Sequence, residues 1–103
     1  MNKFYNVLKQ AKQIQERLKK TREELADKVV EASSGGGVVR AVVSGNKKLL
    51  GLEIDREVVD PEDVEMLQDL IISAVNNSME KADALINEEV TRVTGGLPFP
   101  NLF

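Results

Sequence analysis

Apolar side chains recur along the first quarter of the chain with the spacing of a helix that keeps one side dry. Phe4, Val7, Ala11, Ile14, Leu18, Thr21 and Leu25 follow one another at alternating intervals of four and three residues after the first step, the 3.5-residue repeat that holds a seam against a partner helix. This predicts one helix from Asn2 to about Leu25, about 40 Å long, longer than the rest of a 103-residue domain can cover.

The period changes at Val29 and Val30. Residues 28–33, Val38–Ser44 and Lys47–Ile54 read as the strands of a three-stranded antiparallel meander. Ser34 and the run Gly35–Gly37 break the first strand from the second, and Gly45 with Asn46 is expected to supply the positive φ angles of a tight hairpin. On the third strand Leu50, Leu52 and Ile54 alternate with Leu49, Gly51 and Glu53, so one face is expected to be buried and the other wet.

A second helical region covers that face. Asp60 is the expected N-cap and Pro61 the first helical residue, with Glu62, Asp63 and Glu65 set against the positive end of the helix dipole. Val64, Leu67, Ile71, Ala74 and Ser78 form one stripe, widened by Leu70 and Val75 and continued by Ala82, Leu85, Ile86 and Val93. Three weak helix formers, Asn76–Ser78, leave open one helix running to Arg92 or a pair broken there. Gly95 and Gly96 end the region, and the tail 97–103, with two prolines, is expected to be irregular.

The fold class is therefore α+β. One domain spans 1–96, comprising a helical arm 1–27, a sheet 28–55 and a helical region 60–94. An apolar seam too long for one small domain predicts a two-fold homodimer, with Phe4, Val7, Ala11, Ile14 and Leu18 as the dimer or helix seam.

Charge changes the picture of the arm. Up to position 22 the chain carries seven basic side chains and only Glu16 as an acid, a balance of +6, whereas residues 23–103 sum to −9. The overall −3 hides a polarised molecule, and asymmetry of this kind points to a polyanion. Lys9, Lys12, Lys19 and Lys20 lie on the outer half of the first helix, flanked by Arg17 and Arg22. The same face has a plainer reading. Lys12 with Glu16, Glu16 with Lys20, Lys19 with Glu23 and Lys20 with Glu24 are four apart, so part of the charge could be spent on surface pairs.

Composition narrows the chemistry. Apolar residues at 42% and charged residues at 30% suit an ordered globular domain. With no cysteine and no histidine, disulfides, thiolate chemistry and the commonest general base are absent. None of Ser33, Ser34, Ser44, Ser73 or Ser78 has an evident activating partner, so no catalytic residue is assigned. The N-terminus has Lys3 and Lys9 where a secretory signal would be apolar, and no stretch approaches the ~20 apolar residues of a membrane span. A cytoplasmic protein is expected.

Several motifs then fall in order. Ser34-Gly35-Gly36-Gly37-Val38-Val39 follows a basic, glutamine-rich helix, with Gly45 in the next turn and Ile54-Asp55 closing the sheet. Asp63, Glu65, Leu67, Asp69, Leu70, Ile71, Ala74 and Asn76 mark the second helix, and Gly95-Gly96-Leu97 lies near the end. Taken together, over nearly the whole chain, the sequence resembles the YbaB/EbfC family of bacterial nucleoid-associated proteins. The resemblance implies a small homodimer whose protruding helices grip double-stranded DNA in the nucleoid, with no enzymatic activity, cofactor or small-molecule substrate. The candidate DNA-binding residues are then Lys9, Lys12, Arg17, Lys19, Lys20 and Arg22. Ser78 stands where the family pattern leads one to expect alanine, and the first helix has few methionines.

Other readings are weaker on residue grounds. Gly35–Gly37 lies between two strands with no following Lys-Ser or Lys-Thr, unlike a phosphate loop. Asp60, Glu62, Asp63, Glu65 and Asp69 lack the glycine and spacing of a calcium loop, so no metal is assigned. A basic amphipathic helix could lie on an anionic membrane, but the seam is narrow and contains Ala11 and Thr21, which suits helix packing better. An interaction scaffold using the tail 97–103 as a docking peptide would bind neither DNA nor lipid. Single-strand binding is disfavoured by four aromatic residues, two of them in the tail.

Overall fold

A computed structural model of the chain describes residues 3–96; the tail 97–103 lies outside the described residues. Helix α1 spans Lys3–Ala26, strands β1, β2 and β3 span Val29–Ser34, Val39–Ser44 and Leu49–Ile54, and helix α2 spans Val64–Thr94, with one 3-10 turn at Arg56–Val58. The sheet is an antiparallel meander in the order β1-β2-β3. Strand starts fall one or two residues later than the sequence pattern suggests, and the elements are otherwise those expected.

Helix α2 is one continuous helix of 31 residues. The weak formers at its middle are held by their own side chains. Ser78 donates its hydroxyl to the Val75 carbonyl at 2.6 Å, and the Asn77 amide donates to the Ser33 carbonyl of β1 at 3.2 Å. Ala74, Ser78 and Ala82 stand one turn apart and all are fully buried. This row of small side chains lets the α2 backbone approach the sheet closely, and serine is small enough to occupy the position where alanine was expected. The helix begins later than the Asp60 cap suggested. Asp63 is the N-cap, its carboxylate accepting from the Met66 N–H at 3.2 Å. Asp60–Asp63 instead forms a turn with the Asp63 N–H bonded to the Asp60 carbonyl at 2.9 Å, where Pro61 suits the second position and the Asp60 side chain accepts from the Glu62 N–H at 2.9 Å.

The core lies between α2 and the inner face of the sheet. Val39, Ala41 and Ala74 are buried at its centre, with Ile54, Leu67, Leu70 and Ile71 packed around them. Leu52 does not join them, contrary to the alternation in its strand. It is 37% exposed, as are Leu49 at 47% and Leu50 at 57%. Two facts explain this. A bulge between Val42 and Val43 pairs those residues with Gly51 and Leu49, leaving Leu50 out of the ladder, and α2 packs over β1 and β2 while β3 meets the core at Ile54.

The turns differ in their use of glycine. Gly35, Gly36 and Gly37 all have positive φ, at 60°, 74° and 100°, a run that side chains with a Cβ would resist. Gly45 and Asn46 do not supply the positive φ expected of them; Lys47 does, at 66°. Gly45 is needed for a different reason. It is buried, and a Cβ placed on it would fall 2.4 Å from the carbonyl oxygen of Leu25 at the end of α1.

Candidate nucleic-acid interface

Helix α1 is anchored only at its C-terminal end. Leu18, Thr21 and Leu25 are buried, Ala11 and Ile14 are half-buried, and Phe4 and Val7 are 76% and 60% exposed. The seam read from the sequence is therefore one stripe with two fates: its last turns pack against the domain, and its first turns have no cover among the described residues. The molecule measures 73 × 20 × 17 Å. That length exceeds the ~46 Å of α2 at ~1.5 Å per residue, and the exposed first turns of α1 form an arm.

The joint at its root is tightly specified. The Asp27 N–H bonds to the Glu24 carbonyl and the Lys28 N–H to the Leu25 carbonyl, each at 3.1 Å, closing the helix. The Gly45 N–H then donates to the Lys28 carbonyl at 2.9 Å, and the Lys28 ammonium reaches Glu89 of α2 at 3.4 Å. Lys47 pairs with Asp83 of α2 at 2.8 Å. These residues surround the root of the arm, and sequence reading missed them because the partners lie far apart in the chain, Lys28 and Glu89 by 61 residues. No local pattern marks such a pair.

Lys9, Lys12, Arg17, Lys19, Lys20 and Arg22 are all exposed. At the helical repeat of 3.6 residues the four lysines project away from the buried side of α1, and the two arginines border it. None of the six forms a salt bridge among the described residues. The i,i+4 pairs that their spacing allows with Glu16, Glu23 and Glu24 are not made. The cationic groups of the arm thus remain open to a ligand.

Elsewhere five of the seven basic residues are engaged: Lys28 and Lys47 as described, and Arg40, Lys81 and Arg92. On the outer face of the sheet Arg40 sits between Glu53, at 2.5 Å, and Glu31, at 3.3 Å. The hydrogen bond from Arg40 to Glu53, aided by the charge of Glu31, raises the guanidinium pKa above its ordinary value, so the group stays charged but neutralised by its neighbours. Lys81 donates to the Glu31 carbonyl at 2.9 Å and Arg92 pairs with Glu88 and Glu89. Around the start of α2 the acids Asp60, Glu62, Asp63, Glu65 and Asp69 are exposed. Among the described residues no group of three or more His, Cys, Asp or Glu side chains converges as a metal ion would require.

Fold and surface together define a small α+β protein with a projecting cationic arm. The profile of the YbaB/EbfC DNA-binding family matches residues 1–97. The chain is 50% identical over 98 residues to the nucleoid-associated protein Teth39_2199 of Thermoanaerobacter pseudethanolicus, covering 95% of this chain and 88% of that one. It is 46% identical over 102 residues to a nucleoid-associated protein of Syntrophobacter fumaroxidans, covering 99% and 93%. Among solved structures, the uncharacterized protein HP0035 of Helicobacter pylori superposes with a TM-score of 0.66 at 24% identity, over 76% of this chain and 90% of that one, and shares its fold. The chain belongs to the YbaB/EbfC DNA-binding family.

Proposed function

We propose that this protein binds duplex DNA as a homodimer, mainly through contacts from the α1 arm to the phosphate backbone and with weak sequence preference. Its family, and relatives named nucleoid-associated proteins, make it a nucleoid DNA-binding protein, working in the cytoplasm where the nucleoid lies. The observation that carries the finer reading is the set of six exposed, unpaired cations on a helix that leaves the core. Four of the six are lysines, which make mobile point contacts to phosphate, whereas arginine is the usual bidentate reader of guanine. Phosphate contacts place a protein on the duplex without reading its sequence. The binding role needs no catalysis or cofactor.

Homodimerisation is supported by apolar surface left bare in one chain. Strand β3 presents an unpaired edge with Leu49, Leu50 and Leu52 exposed, and Ile72 of α2 is 56% exposed. Soluble proteins cover such edges. Pairing through β3 about a two-fold axis would set two arms side by side. Sedimentation equilibrium should return twice the 11.4 kDa chain mass at micromolar concentration; a monomer there would remove the dimer.

A salt titration of DNA affinity tests the mode of binding. Removing one lysine that neutralises a phosphate flattens the log-log slope by about 0.9, so Lys19→Ala in a dimer should flatten it by about 2 and weaken unrelated duplexes equally. An unchanged slope would leave these lysines as a solvated face. A weakening confined to one sequence would mean that α1 reads bases.

A further inference from the structure

We infer that Gly45 is the seat that sets the angle of the α1 arm, and so acts as a positioning residue for DNA binding; the second clause rests on the function proposed above. Gly45 is buried, yet its φ is not in the left-handed region that favours glycine, so backbone conformation does not explain the residue. Space does. An added Cβ would lie 2.4 Å from the Leu25 carbonyl oxygen, 3.1 Å from its carbon and 3.3 Å from its Cα. All three are backbone atoms of the last turn of α1, which cannot swing aside as a flexible side chain would. At the same place the Gly45 N–H holds the Lys28 carbonyl at 2.9 Å. The β2–β3 turn therefore both grips the exit of α1 and sets how close the helix comes.

The arm amplifies what happens at this seat. The buried Leu18, Thr21 and Leu25 fix only the last turns of α1, and residues 3–10 are exposed. To accommodate a methyl group the Leu25 carbonyl must move by about 1 Å to reach ordinary contact. Over one helical turn of ~5.4 Å that is a tilt of roughly 10°, which carries the helix at Gln10 through about 4 Å. A dimer that grips one duplex with two arms would have both displaced.

The absence of cysteine from the chain permits a direct test. Spin labels are placed at Gln10→Cys on the arm and Asn87→Cys on α2, both exposed positions, and the labelled protein is diluted into unlabelled protein so that distances are read within one chain. Gly45→Ala should keep the far-ultraviolet spectrum of the folded protein, shift the mean distance by about 4 Å and weaken DNA binding about threefold to tenfold. Glu89→Gln, which removes the Lys28 tether without adding bulk, should leave the mean distance in place. An unchanged distance in Gly45→Ala overturns the assignment, as does a shift in Glu89→Gln of equal size. So does unfolding of Gly45→Ala, which would make Gly45 a general folding residue. A shifted distance with unaltered affinity overturns the link to DNA. The distance is measured without DNA, so failure of the wild-type protein to bind DNA would strike the proposed function and leave the result on the arm angle standing.

Discussion

The two helices of this protein are built on opposite plans. Helix α2 lies along the sheet, pinned by Asn77 and Lys81 to carbonyls of β1 and buried through Ala74, Ser78 and Ala82. Helix α1 touches the domain with its last turns and offers the remainder to solvent. Charge follows the same division. Among the described residues the six outer cations of α1 are unpaired, whereas Lys28, Lys47 and Arg92 are matched with acids on α2. One helix is used for stability and the other for contact, so substitutions on the two should separate fold from function.

The largest effect expected is at the one place where the plans meet. Leu25 belongs to α1 but is 1% exposed, and Leu25→Ala should cost about 2–5 kcal/mol by chemical denaturation. A cost near zero would show that the arm is not rooted there. Next comes the free face. The triple variant Lys12→Ala, Lys19→Ala and Lys20→Ala should leave the melting temperature in place while flattening the salt slope of DNA binding by about 5 in a dimer. A lower melting temperature with an unaltered slope would reverse the roles assigned to the face. Leu50→Lys on β3 should release monomers, seen by sedimentation, and reduce the slope to about half its value, since each chain supplies half of the phosphate-binding lysines. Retention of the dimer would move the interface off β3. The smallest effect is at the free end of the seam: Phe4→Ala should change stability by less than ~0.5 kcal/mol, and a larger change would mean that Phe4 is covered in solution.

Much of this architecture could be read from residue order. The 3.5-residue repeat identified α1, the change of period at Val29 located the sheet, and the stripe from Val64 onward marked α2. The misses have tertiary causes. Asp60 and Asp63 are both good caps, and the choice of Asp63 depends on a turn through Pro61 that spacing does not decide. Leu52 fits an alternating buried strand and pairs with the buried Ala41, but α2 crosses β1 and β2 and leaves it uncovered. Gly45 could be recognised as a turn glycine, yet its use depends on Leu25, twenty positions earlier in the chain. The cationic residues were legible because charge is carried by composition. That they remain unpaired required coordinates, since i,i+4 spacing permits ion pairs without enforcing them.

The bare outer turns of α1 have a consequence for hydrogen exchange. A helix without tertiary cover is marginal in water even when its sequence favours it, and the segment from Lys3 to Gln10 has every residue exposed. Its amides should exchange through local fraying, far faster than those of α2 around Ser78, whose opening requires disruption of the core. Docking on a duplex would slow them. Part of the binding free energy would then be consumed in ordering the arm, and replacing exposed Asn6 with alanine, a stronger helix former, should raise affinity without adding a contact.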